Sequence, residues 1–422
     1  MCPNRDPFSS SSIHASISAG IGGASFSYFL NNHFNATRSP GVTVRVTVHE
    51  RTAVVGGRLR ELKGFGNTKV IELGGAAWTT GNKWMAQLAD EMHVNHTCST
   101  ASAEDSRSSS SGSILQTVLQ SRGRGRSSHS SSPGQPLNSK LGIWGEDSFF
   151  DLFAALESKG GPKSVAAAAL VEAKFLDDVG RNYQRQAGGK PFESIEEFLS
   201  WPEGDLKKYA SQSMAEFFSA HGVERDVVEG ALVPLNRAIY NAGSDCNAFA
   251  PLASMTAELS HHHVDAGNSE LVRALLAAAV NTTVVVNSTV TEVSLDEATA
   301  KFTVVSSATS STGSAARSSL EHGLPSKSSS PGSRSIEYLY DTVVFAAPVE
   351  RTGVLLSGGL ANISVRDRGF KDWHVTVVEA ESIDARQFES QVTGKRAPLI
   401  PGRYCRIPPL NQPLISGRRP SD

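Results

Sequence analysis

Residues 15–23 read ASISAGIGG, and the placing of small residues in that stretch decides how the rest of the chain is read. A dinucleotide-binding unit sets G-x-G-x-x-G between its first strand and first helix. The three glycine positions fall here on Ser18, Gly20 and Gly23, with Gly22 beside the last. The second position lets backbone approach a pyrophosphate, and the third lets helix and strand pack closely. The first supplies the tight turn, where serine tolerates positive φ less readily than glycine. Taken alone, the stretch reads equally well as an ordinary turn.

Its surroundings shift that balance. Upstream, IHASI (13–17) makes a short strand with Ile13, Ala15 and Ile17 apolar. Downstream, ASFSYFLNNHF (24–34) predicts a helix carrying Phe26, Phe29 and Leu30 inward at i, i+3, i+4 spacing. VTVRVTVHE (42–50) then alternates Val42, Val44, Val46 and Val48, a second strand ending in Glu50. An acid at that point, followed by Arg51, sits where an adenosine ribose presents its hydroxyls. Glu50 on its own is as readily a solvated strand end; strand, turn, helix, strand and acid in order favour a ribose ligand.

Two glycine pairs follow, Val55-Gly56-Gly57-Arg58 and Glu72-Leu73-Gly74-Gly75-Ala76. Paired glycines let backbone lie against a flat, bulky group where a Cβ would collide, and Arg58 offers a planar guanidinium to a pyrophosphate. A nicotinamide site has no need of this second set, whereas a flavin has. Gly57, Arg58, Gly74, Gly75 and Ala76 are therefore read as cofactor-binding, against the plainer alternative of two loop turns.

This order of motifs resembles the glutathione-reductase-like FAD oxidoreductases, which include amine oxidases and carotenoid desaturases. Further along, VPLNRAIYNAGSDCNAF (233–249) and HVDAGNSEL (263–271) look like the prenylcysteine oxidase, or prenylcysteine lyase, family. The matching residues are Pro234, Arg237, Tyr240, Asp245, Asn247, Ala248, Phe249, Gly267 and Asn268. The resemblance covers residues 13–96, 141–304 and 336–360, residues 233–271 being the more family-specific. It implies an α/β chain with a glutathione-reductase-like FAD/NAD(P)-binding Rossmann fold and a largely helical substrate domain, holding FAD. Gly20, Gly22, Gly23, Glu50, Arg51 and Val290 would join the loop glycines around that cofactor, Val290 at the adenine edge. The reaction implied is oxidation of the thioether of farnesyl- or geranylgeranyl-cysteine, with O2 as acceptor, in prenylated-protein degradation. No acid–base residue is demanded by that chemistry and none is assigned. An amine oxidase or desaturase of the same superfamily is the alternative enzyme, and a catalytically silent flavin-fold protein the non-enzymatic one. The family also implies a lysosomal or secretory/vacuolar location and peripheral association with membranes through the prenyl substrate.

Composition sets outer bounds. The 422 residues carry a net charge of −2, which gives no reason to expect nucleic acid. Arg122, Arg124 and Arg126 lie in a Ser/Gly-rich tract that reads as a solvated loop. No apolar run reaches the length of about 20 residues that spans a bilayer. Cys2, Cys98, Cys246 and Cys405 show no C-x-x-C spacing, and His261-His262-His263 lacks an accompanying carboxylate pattern, so no metal is expected and the histidines read as a polar turn. N-x-S/T sequons at Asn35, Asn95, Asn281, Asn287 and Asn362 mildly favour a secretory route, although MCPNRDPFSSSS has no apolar leader core.

The expected organisation is an FAD-binding part at 1–98, a disordered Ser/Gly/Arg-rich insertion at 99–140 and a helical substrate domain at 141–265. Residues 266–384 would return to the cofactor domain, with a polar loop at 306–335, and 385–422 read as an irregular tail. Within the helical tract, Ser194 and Glu197 suggest a capping box. Phe149, Phe150, Phe153, Phe175, Phe198, Trp201, Phe217 and Phe218 either line an apolar channel or pack the core. Ala346-Ala347-Pro348 suits close approach to a cofactor. The closing strand and helix that such oxidases aim at the flavin is not found after Val378, and the tail is expected to be read-through or altered splicing on an imperfect chain.

Overall fold

The computed structural model describes residues 11–34, 43–63, 70–79, 81–100, 142–144, 149–201, 206–256, 260–308, 335–370 and 404–406. They fall into two compact units. The first takes the described residues up to 77, 85–97 and those from 263 onward to 370; the second takes 78–84 and those within 98–262.

The first unit opens with β1 (Ser11–Ile17), α1 (Ile21–His33) and β2 (Thr43–His49), then the hairpin β3 (Arg60–Lys63) and β4 (Val70–Gly74). It resumes with α2 (Ser269–Ala278), β5 (Thr282–Val285), β6 (Ser288–Asp296), β7 (Lys301–Ala308), β8 (Ser335–Tyr340), β9 (Thr342–Phe345) and β10 (Leu355–Gly358). One sheet has the order β5-β2-β1-β9 with every pairing parallel. A second has the order β8-β7-β6-β10, antiparallel except at its β6–β10 edge. This is an α/β architecture built on a Rossmann βαβ unit. Ile17 is level with His49 on one side and Phe345 on the other, so three strands end together at the turn after β1.

The alternation in β2 does what the pattern requires. Val44, Val46 and Val48 are buried against Ala24 and Tyr28 of α1 and Leu271, Val272, Leu275 and Leu276 of α2. The strand begins at Thr43, Val42 lies outside the described residues, and Glu50 stands one residue past the end.

Of the three side chains expected inward on α1, Phe26 and Leu30 are half-buried against the core and Phe29 is not. Gly23, Ala24, Ser27, Tyr28 and Asn31 are its buried residues, while Phe29 is 41% exposed. A Cβ on Gly23 would stand 2.0 Å from the Ser18 carbonyl oxygen. Helix and turn therefore touch backbone to backbone, and small residues take the face that Phe29 would overfill. The polar members are bonded locally: Ser27 Oγ donates to Gly23 O at 2.9 Å, and Asn31 Nδ2 donates to Ser27 O at 2.9 Å.

Strand β7 runs to Ala308 and β8 starts at Ser335, so both ends of the expected 306–335 loop are strand; residues 309–334 lie outside the described set. Strand His96–Thr100 likewise reaches into the expected 99–140 insertion, whose residues from 101 on lie outside it, as do those of the tail apart from 404–406.

The second unit is mainly helical. Leu152–Ala187 is two helices merged across Gly161, whose φ of 63° and following Pro162 break the backbone. Further helices are Ile195–Ser200, Leu206–Ser211, Met214–Ala220, Val233–Tyr240 and Phe249–Thr256. Phe149 and Phe150 sit in a short strand, Phe149–Asp151, and not in a helix as expected. Phe175, Phe217 and Phe218 are closed into one core with Tyr209, Leu235 and Leu252, which is the packing reading and leaves them no channel to line. Trp201 is 37% exposed and lies 4.2 Å from the Arg185 guanidinium. His261 and His262 are strand, paired with Thr79 and Trp78, and the His262 ring stacks on Trp78, so the expected polar turn is not there. Ser194 Oγ accepts from Glu197 N at 3.0 Å, but the Glu197 carboxylate accepts from Glu193 N; the reciprocal box is made by Ser213 and Glu216. Among the described residues no helix is long and apolar enough to cross a membrane, and no group of three potential metal ligands assembles.

Candidate functional site

The site forms where β1 and β2 end. Ser18 carries the chain out of β1 at φ 99°, a positive-φ conformation at the position where the motif would have glycine. Its N–H donates to His49 O at 2.9 Å, which ties the turn to the adjacent strand end. Gly56 N donates to Ala19 O at 2.9 Å, and Gly20 pairs with Gly56 as an isolated bridge. A Cβ on Gly57, itself at φ 60°, would stand 3.1 Å from Gly20 Cα. The first turn and the first glycine pair are thus one backbone-lined surface: a side chain at Gly57 would push against Gly20, one at Gly56 would strike Leu59 O at 2.8 Å, and a methyl at Gly20 would meet only ordinary contacts from 3.7 Å. Gly22 faces Ala346, whose Cβ would lie 3.7 Å from a methyl placed on Gly22.

Beside this surface lies a cavity of about 180 Å³ lined by, among others, Ser18, His49, Glu50, Val290, Pro348 and Arg351. Glu50 is 5% exposed. Its Oε2 accepts from Ala19 N at 2.9 Å, and its Oε1 accepts from Thr52 N at 2.9 Å and Thr52 Oγ1 at 2.8 Å. A carboxylate offers about four acceptor positions, so Glu50 keeps one for an incoming hydroxyl while bracing the turn. Val290 is buried in the cavity wall, and Arg51 is exposed at its edge.

His49 is 1% exposed, with Nδ1 3.1 Å from Ser288 Oγ and Nε2 3.0 Å from the Tyr340 hydroxyl. Burial lowers its pKa from 6.5 to about 4, so the ring is neutral at neutral pH, and burial raises the Tyr340 phenol in the same way. Neither His49, Ser288 nor Arg351 was singled out by sequence reasoning. The one available signal was a lone histidine closing a strand otherwise of Val, Thr and Arg45.

The second glycine pair lies on the β3–β4 hairpin. Gly74 ends β4, with Arg58 O only 2.6 Å from where a Cβ would be, and Gly75 has φ 63°. Ala76 is half-buried and Arg58 exposed. The cradle around Gly20, Gly22 and Gly57 and the cavity of Glu50 and Val290 therefore adjoin one another, while Gly74, Gly75 and Ala76 form a separate turn joined to the cradle through Arg58 and Leu59.

A family model described as prenylcysteine lyase matches residues 153–399, more than half of the chain. The chain belongs to the prenylcysteine lyase family. Prenylcysteine oxidase 1 of Mus musculus is 26% identical over 268 residues, which is 63% of this chain and 45% of the mouse protein; that of Rattus norvegicus matches to the same extent. This prenylcysteine lyase family chain thus spans about half the length of those relatives. Among solved structures, cyclohexylamine oxidase from Brevibacterium oxydans IH-35A matches with a TM-score of 0.44 at 12% identity, over 82% of this chain and 60% of that one. Wild-type putrescine oxidase bound to putrescine matches with a TM-score of 0.38 at 14% identity, over 70% of this chain and 55% of that one.

Proposed function

We propose that this chain carries the FAD-binding part of an oxidase that cleaves the thioether of prenylcysteines. The observation that supports it best is the Gly20–Gly57 backbone cradle beside the cavity of Glu50 and Val290, in a chain of the prenylcysteine lyase family. The cradle fits a pyrophosphate because a Cβ at Gly57 or Gly23 would close it or push the helix away. In this reading Gly20, Gly22, Gly23, Gly57 and Arg58 hold the pyrophosphate. Glu50 and Arg51 take the ribose, backbone at Val290 meets the adenine edge, and Gly74, Gly75 and Ala76 lie along the ring system.

When bound, FAD supplies a two-electron acceptor that returns its electrons to O2. The carbon beside a prenyl thioether sulfur is allylic, so hydride loss there is eased by delocalisation and by sulfur. Thioether, O2 and water then balance as free cysteine, prenyl aldehyde and hydrogen peroxide. The chain's own task is to position the substrate and exclude bulk water, and no side chain is assigned as acid or base. The Rattus and Mus relatives, named for a prenylcysteine oxidase, support this substrate class, and the same kinship supports a lysosomal or secretory compartment. Asn95 and Asn362, both in sequons, are exposed and open to glycosylation.

The test is direct. The purified chain is mixed with FAD, freed of excess and examined for flavin absorbance, then mixed anaerobically with farnesylcysteine. Retained flavin that bleaches with the thioether is expected. No retained flavin overturns the cofactor assignment, and bleaching by an amine but not the thioether overturns the substrate.

A further inference from the structure

Between the two glycine pairs sits a tripeptide, Gly267-Asn268-Ser269, that touches both. Asn268 is 2% exposed and bonds the hairpin and its own loop through its side-chain amide and its N–H. Its Nδ2 donates to Gly75 O at 2.6 Å, its Oδ1 accepts from Val264 N at 2.8 Å, and its N–H donates to Glu72 Oε1 at 2.5 Å. Ser269 Oγ donates to Glu61 Oε1, which also receives Arg273 at 3.3 Å. On the other side, a Cβ at Gly56 would lie 3.3 Å from Ser269 Cβ, and one at Gly267 would lie 3.1 Å from Glu61 Cδ.

The arrangement is costly, which makes its purpose informative. Glu61 and Glu72 are direct cross-strand partners in β3 and β4, and like charges so placed repel. Each also keeps a buried Oε2 with no hydrogen-bond partner among the described residues. Burial, with Glu61 alongside, raises the Glu72 pKa despite the Asn268 N–H. What these costs secure is the path of Gly74 and Gly75. Gly75 is held at φ 63°, and a Cβ there would lie 2.2 Å from Leu59 Cδ2.

We propose that Asn268 is a positioning residue, its side-chain amide fixing the Gly75 carbonyl and so the wall that the Gly74–Gly75 turn presents to the flavin end of the cofactor. This rests on the FAD reading above. Only an amide serves, because one atom must accept from Val264 and its twin must donate to Gly75. An aspartate keeps the shape and the Val264 bond but sets a carboxylate oxygen against the Gly75 carbonyl.

Asn268→Asp is the test, with FAD affinity read by flavin fluorescence quenching and hydrogen exchange at residues 74–77 followed in the cofactor-free chain. Loss of one buried bond and its replacement by repulsion should weaken FAD about tenfold in mildly alkaline buffer. The segment should exchange faster without cofactor, and acid, which lets the aspartic acid donate, should restore part of the affinity relative to wild type. If Asn268→Asp does not fold, Asn268→Ser, which also lacks the paired amide, is read by the same two measurements. Wild-type affinity and exchange in the variant overturn the proposal while leaving the FAD reading intact. Failure of the wild-type chain to bind FAD overturns that reading and the proposal's cofactor role with it, whereas unchanged exchange at 74–77 overturns the clamp alone.

Discussion

Ser18→Gly should make the protein more stable, and the size of the gain follows from the turn. Ser18 sits at φ 99°, where a residue bearing a Cβ is strained. A non-glycine residue held in such a region costs of order 1–3 kcal/mol. Glycine removes that cost and introduces another, since its freer unfolded chain loses about 0.4–1 kcal/mol more on folding. The balance is a gain of about 1 kcal/mol, or roughly 2–4 °C in Tm for a unit of this size. Scanning calorimetry of wild type, Ser18→Gly and Ser18→Ala separates the backbone from the hydroxyl. Alanine keeps the Cβ, so it should not gain. FAD retention should rise with Ser18→Gly if the relaxed turn is the one a pyrophosphate needs. A Ser18→Gly variant no more stable than wild type, or an alanine variant that gains as much as the glycine, refutes the argument that φ is the source of strain.

Gly23→Ala forces a methyl to within 2.0 Å of the Ser18 carbonyl and should cost about 3 kcal/mol, whereas Gly22→Ala meets only Ala346 at 3.7 Å and should stay within about 0.5 kcal/mol; urea midpoints compare the two. His49 has its folded pKa lowered from 6.5 to about 4, so between those values the unfolded chain binds a proton that the folded chain does not. Stability should therefore be full above pH 6.5 and fall by about 3 kcal/mol as pH drops to about 4, and urea titrations of His49→Gln should lack that part of the slope.

The fold was legible because its signals are local and periodic. Val44, Val46 and Val48 announce a strand by alternation alone, and the spacing of Gly20, Gly23 and Glu50 orders strand, helix and strand around one turn. The face of α1 was legible only in part: Phe26 and Leu30 pack on the core as their spacing suggests, whereas the closeness of Gly23 to Ser18 is a contact that hydrophobic spacing does not encode. Phe29 is apolar and exposed for that reason, and Asn31 polar and buried. The histidine run misled for a similar reason: strand pairing with Trp78 and Thr79 supplies what His261 and His262 lack in apolar character. Around the cavity, Glu50 was marked by the order of motifs along the chain and Val290 by the family resemblance. His49, Ser288 and Arg351 were not, because the fold alone brings them to one cavity, His49 meeting Ser288 across 239 positions of sequence. The dual task of Asn268 needs coordinates too, since the Gly75 carbonyl reaches it only in space.

The order of strands in the parallel sheet has a consequence for how the protein is made. β1 and β2 leave the ribosome well before their outer partners β5 and β9, at residues 282–285 and 342–345. At about 5–20 residues per second, on the order of 10–50 s pass between synthesis of His49 and of Thr282. Throughout that interval the two strands present unpaired edges, and Val44, Val46 and Val48 of β2 lack the α2 leucines that later cover them. That interval is the stage at which exposed strand edges and an uncovered apolar face leave the nascent first unit open to aggregation.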